Sequence, residues 1–176
     1  DKGLLHTFDP SRNTMTMLRT EFAAKNDIAR ARLYVTARGI YDIYMNGKRV
    51  NADFFNPGLT QYNRTHLYQT FDVTPFITSG RNALGAVLSE GWWSGGITYT
   101  PENWNMFGDR QSLLTKLVIT YKDGREQTIA SRPEDWSYSV DGPLVYGSFF
   151  QGEVYDARRE AACRGWAEPG FDDTAW

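Results

Sequence analysis

The chain has 176 residues, 15% of them aromatic, and a formal net charge of only −2. That length suits one domain with a sizeable core, and the weak charge supplies none of the basic field that nucleic acid or an anionic membrane surface needs, which excludes both as partners. Cys163 stands alone, which rules out an internal disulfide framework and a cysteine-based zinc site and leaves the compartment open.

In chain order, residues 17–23 are a short strand candidate, and residues 29–38 alternate Ala29, Ala31, Leu33, Val35 and Ala37 with Arg30, Arg32, Tyr34, Thr36 and Arg38. That period of two marks a half-buried strand. Tyr41, Ile43 and Met45 repeat it up to Asn46-Gly47, the strongest short hairpin signal because both residues accept positive φ. The strands at 29–38 and 41–45 are expected to pair or lie close together. Shorter candidates follow at 66–72 and 82–88; residues 113–121 alternate again, turn at Lys122-Asp123-Gly124-Arg125 and return along 126–130, and 136–140 is a last short strand.

At least eight short strands with little helix predict an all-β fold, an antiparallel β-sandwich of jelly-roll-like form with long loops. Residues 1–176 read as one such domain with its core at about 17–140, and 141–176 as a closing strand or a linker toward a further domain. No apolar run approaches the roughly 20 residues that cross a bilayer, and the start lacks a signal-peptide core, so a soluble piece is expected. The abrupt ending on Trp176 reads as a segment cut from a longer protein.

Two stretches, 51–65 and 90–110, exceed the usual connection of about 4–6 residues, and long loops on a rigid scaffold are where binding concentrates. Trp92, Trp93, Tyr99 and Trp104 crowd the second beside Ser94, Glu102, Asn103 and Asn105. That mixture suits a saccharide, whose C–H faces lie on aromatic rings while amides and carboxylates bond its hydroxyls. The competing reading is that one or both tryptophans plug the sandwich. Alternation along an extended segment would bury Trp92 and expose Trp93. Asp53 and Asn56, with Glu102, Asn103 and Asn105, are oxygen ligands of the kind calcium takes, although such Asx side chains more often cap their own loops. Glu90, Glu153, Asp156, Asp172 and Asp173 are the carboxylates a glycosidase pair could draw on; their default is a solvated surface.

Several phrases in one order resemble the N-terminal accessory β-domain of bacterial α-L-rhamnosidases, glycoside hydrolase family 78. They are Tyr44-Met45-Asn46-Gly47-Lys48-Arg49-Val50, Asn56-Pro57-Gly58-Leu59-Thr60-Gln61-Tyr62-Asn63-Arg64, Tyr68-Gln69-Thr70-Phe71-Asp72-Val73-Thr74, Gly80-Arg81-Asn82-Ala83-Leu84-Gly85, Gly91-Trp92-Trp93-Ser94-Gly95, Gly152-Glu153-Val154-Tyr155-Asp156-Ala157-Arg158 and Gly165-Trp166 with Phe171-Asp172-Asp173. Leu59 departs from the pattern, which more often has Trp there. The resemblance implies a parent enzyme that hydrolyses terminal α-L-rhamnosides with inversion, using acids in an (α/α)₆ barrel further along the chain, none of which is present here. Related domains in some members bind L-rhamnose with calcium. Two readings stay open: an inactive accessory domain that packs on the catalytic domain, with or without contact to substrate, and an autonomous module for rhamnose-containing glycans that works with no cofactor or with calcium alone.

Overall fold

The structure is a computed structural model that describes residues 14–98, 104–150 and 152–176. Two antiparallel sheets face each other. One has the order β4-β3-β6-β1-β9, built from β1 (Thr16–Ala24), β3 (Ile40–Met45), β4 (Lys48–Arg49), β6 (Gly80–Ser89) and β9 (Ser137–Ser139). The other has the order β5-β2-β7-β8, built from β2 (Ile28–Arg38), β5 (Gln69–Asp72), β7 (Ser112–Tyr121) and β8 (Glu126–Ala130). A separate hairpin joins β10 (Leu144–Ser148) to β11 (Gly152–Tyr155), and helix is confined to the four-residue α1 (Gly91–Ser94) and α2 (Glu160–Cys163) and a few 3₁₀ turns among the described residues. The chain is an antiparallel β-sandwich with little helix.

The alternation in the sequence becomes the core. Leu33 and Val35 of β2 and Leu117 and Ile119 of β7 point inward, opposite Ile43 and Met45 of β3 and Leu84 and Ala86 of β6, and all are buried. Each large aliphatic among them contributes about 1.5–3 kcal/mol by leaving water. Ala29 is exposed, because the register between β2 and β7 shifts between Ile28 and Arg30. The Asn46-Gly47 turn forms as expected, with φ of 50° and 77°, and sets Met45 opposite Lys48.

One expected neighbourhood is corrected. β2 and β3 lie in opposite sheets: β2 pairs with β5 and β7, and β3 with β4 and β6. Gly39 alone separates them, at φ 119°. A single residue cannot close a hairpin, whose commonest loops have two; with a glycine in that conformation it turns a corner that carries the chain from one sheet to the other.

Residues 142–148 and 152–176 lie over the outer face of the five-stranded sheet. Arg19 of β1 pairs with Gly85 of β6, points away from the core and is 2% exposed. Its guanidinium donates to the carbonyl oxygens of Trp166 (2.9 Å) and Glu168 (3.1 Å) and to the carboxylates of Glu21 (2.6 Å) and Asp173, and it lies 5.5 Å from the Phe171 ring centroid. Gly85 lets Trp166 approach, since a β-carbon there would stand 2.7 Å from its Cζ3.

Candidate functional site

The two tryptophans exchange their expected places. The 90–95 stretch is a single helical turn rather than an extended segment, so adjacent side chains diverge by about 100° instead of opposing each other. Trp93, not Trp92, is the buried ring, at 8% exposure. Its Nε1 donates to the Arg110 carbonyl (3.0 Å), Tyr62 meets it edge to face at 5.5 Å, and the Arg38 guanidinium lies 5.0 Å from its centroid. Asn105 returns the loop to α1 through its backbone N–H, which donates to the Ser94 carbonyl (3.3 Å), while its side chain is exposed. Trp104 is half-buried beside Gly96.

Trp92 is half-buried on the outside of the same turn, where it stacks on Phe149 at 4.2 Å between centroids. Phe55 meets Phe149 edge to face at 4.9 Å and Trp92 at 6.3 Å. Phe54, Phe55 and Phe150 are exposed. An aromatic surface thus forms from three segments: the 53–55 turn, α1 and the β10–β11 turn. Such pairs add about 0.5–1.5 kcal/mol each beyond area burial, so the surface is held together before anything touches it.

Asp53 and Asn56 brace this corner. The Asp53 carbonyl accepts from Arg49 Nη2 (3.2 Å), Asn51 Nδ2 (2.9 Å) and Asn56 Nδ2 (3.5 Å), and the Asn56 carbonyl accepts from the Tyr41 N–H (2.9 Å). The Asp53 side chain is exposed and Asn56 is buried. Tyr99, Glu102 and Asn103 lie outside the described residues. Among the described residues, no three His, Cys, Asp or Glu side chains gather where they could share a metal ion.

Of the five candidate carboxylates, Glu90 departs most from the solvated default. It leads β6 into α1 and is 1% exposed. Burial pushes its carboxyl up to about 7, partly offset by hydrogen bonds from Tyr146, whose hydroxyl donates to Oε1 (3.2 Å), and from Ser148. Its Oε2 is buried without a hydrogen-bond partner among the described residues. Asp156 is gripped by Arg158, which holds its carboxyl down at about 2, and Asp172 is lowered by hydrogen bonds from Thr174. Asp173 is bound by Arg19. Glu153 stands exposed on β11. Four of the five are thus engaged by neighbours of their own, and the sequence alone carried no signal of Glu90's burial or of the Phe55, Trp92 and Phe149 assembly.

Fold and site together define a β-sandwich module with a preformed aromatic face at one corner. The chain belongs to the α-L-rhamnosidase N-terminal domain family, whose model matches residues 26–176. An α-L-rhamnosidase of Streptomyces avermitilis is 42% identical over 169 residues, which are 95% of this chain and 16% of that protein. One from an Alteromonas species is 37% identical over 174 residues, 97% of this chain and 18% of the relative. The crystal structure of the S. avermitilis enzyme complexed with L-rhamnose superposes with a TM-score of 0.87 over 94% of this chain and 16% of that one. The Aspergillus terreus α-L-rhamnosidase structure, 38% identical, gives 0.88 over 93% of this chain and 18% of that one. The chain therefore spans about a sixth of the length of the curated relatives it matches, and in those relatives the domain is part of a larger rhamnosidase chain.

Proposed function

We propose that the chain is a non-catalytic accessory domain of an α-L-rhamnosidase, and that it packs against the catalytic part of its parent chain through the Trp92, Phe149 and Phe55 surface. Hydrolysis of terminal α-L-rhamnosides then belongs to the remainder of the parent. The observation that carries this reading is coverage: nearly the whole chain matches, yet it accounts for only 16% and 18% of the two relatives. The exposed aromatic surface supports the docking role, because contiguous apolar patches on soluble proteins mark interaction sites, and aromatic residues are enriched in such contacts. The engagement of Asp156, Asp172 and Asp173 by their neighbours and the burial of Glu90 support a non-catalytic role, since a glycosidase needs two carboxyls facing one bond.

The test is hydrolysis of p-nitrophenyl α-L-rhamnoside by the purified 176-residue chain and by its parent. The parent is expected to release nitrophenol and the chain to release none. Release by the chain that is abolished by changing one of its own carboxylates would overturn the reading.

A further inference from the structure

Where β8 ends and β9 begins, residues 131–136 carry the chain from the four-stranded to the five-stranded sheet. Beside this crossing a hollow of about 340 Å³ opens between the two sheets, within the range of small-molecule sites. Its walls are Leu18 of β1, Leu88 of β6, Leu113 of β7 and Trp136 of the crossing; Leu88 is buried, and the other three are half-buried against the core. The crossing is tied at both ends. The Ser131 N–H donates to the Thr115 carbonyl (2.9 Å) and the Thr115 N–H to Ser131 Oγ (3.0 Å), while the Thr20 hydroxyl donates to the Asp135 carbonyl (2.6 Å). The hollow is therefore preformed.

Two properties narrow the ligand. The first is shape. Facing sheets stand about 10 Å apart, so a space between them is a slot roughly one side-chain layer deep. Such a slot admits a flat molecule, and its leucine walls with Trp136 suit an aromatic ring. The second is charge. Arg132 is the one charged residue that lines the hollow among the described residues, and it is exposed. Its guanidinium makes no ion pair or hydrogen bond among the described residues. Glu134 and Asp135 follow it in the chain, but neither lines the hollow. A guanidinium fork matches a carboxylate in two parallel hydrogen bonds. At an exposed position it binds that carboxylate while leaving it partly in water, so that only the apolar part of the ligand loses its hydration. An apolar amine would be repelled by Arg132, and a small inorganic anion would leave the apolar walls bare. A ring with an acidic arm uses both features.

From this geometry we infer that the hollow is a binding site for a planar aromatic monocarboxylate, its ring between Leu88, Leu113 and Trp136 and its carboxylate on Arg132. The inference does not rest on the docking role, because no residue that lines the hollow belongs to the Trp92, Phe149 and Phe55 surface.

The experiment is a calorimetric titration of the 176-residue chain and of its parent with trans-cinnamate, with cinnamyl alcohol as the uncharged counterpart and hexanoate as an acid without a ring. Saturable binding of cinnamate is expected, with Kd on the order of 1 mM, and the alcohol and hexanoate should each bind about fivefold or more weakly than that, since each lacks one of the two contacts. Arg132→Gln should bring cinnamate down to the affinity of the alcohol and leave the alcohol unchanged, a selective loss that damage to the fold would not produce. Ser112 is exposed and lines the same hollow, so Ser112→Phe should plug it and abolish binding of both aromatic ligands, in the chain and in the parent alike. Absence of saturation by cinnamate, equal binding of the alcohol or of hexanoate, or cinnamate binding indifferent to both Arg132→Gln and Ser112→Phe overturns the inference. So does Ser112→Phe-sensitive binding by the chain that the parent lacks, which would make the hollow a seam between domains.

Discussion

Replacing Glu90 by glutamine should make the protein more stable, and only above a defined pH. The buried carboxyl holds its proton up to about 7 in the folded chain, against an ordinary value of 4.5. Between those two values the folded state binds a proton that the unfolded state has released, so stability is greatest below pH 4.5 and falls as pH rises through about 7. At about 1.4 kcal/mol per pH unit the loss amounts to roughly 3 kcal/mol. Glutamine keeps the shape, can accept from Tyr146 and never ionises. Urea unfolding at pH 4.5 and at pH 8 should therefore show the Glu90→Gln variant close to the parent sequence at the lower pH and up to about 3 kcal/mol more stable at the higher. A variant that loses the same stability at both pH values, or a difference that does not change with pH, would refute the reasoning, because it would mean that Glu90 is tied into hydrogen bonds as an anion.

Other perturbations separate core from surface. Trp93→Ala should cost about 3–5 kcal/mol in urea unfolding, the usual range for a buried aromatic, whereas Trp92→Ala should lose little more than its stacking on Phe149, about 1 kcal/mol; equal costs would contradict the burial difference. Arg19→Met should cost about 3 kcal/mol, toward the low end for removing one partner of a buried ion pair because Glu21 and Asp173 retain some access to water. The same change should loosen residues 164–176 and speed tryptic cleavage at the exposed Arg164, followed by mass spectrometry; an unchanged cleavage rate would count against the clasp.

The strands were legible because one face of each meets a core. Leu33 and Val35, Ile43 and Met45, and Leu117 and Ile119 all point inward as their alternation requires. Sheet membership was not legible, since periodicity says which face of a strand is buried and nothing about its neighbour; only the single residue at Gly39 could have warned that β2 and β3 do not form a hairpin. The same limit explains the site. Trp92 and Trp93 stood out by type, but their orientation depended on whether the 90–95 stretch is extended or helical, and four residues carry too little pattern to decide. Phe55, Trp92 and Phe149 lie far apart in sequence and meet only in the fold. The burial of Glu90 follows from the strand-to-helix junction in which it sits, and a lone carboxylate in a sequence gives no sign of that.

The docking role is tested most directly by hydroxyl-radical footprinting of Trp92, Phe149 and Phe150 in the isolated chain and in its parent, with the exposed Tyr138 of β9 as the internal reference. Labelling of the three rings should fall several-fold in the parent while Tyr138 stays reactive. Equal labelling of all four residues in both proteins would contradict the claim that this aromatic surface is where the domain meets the rest of its chain.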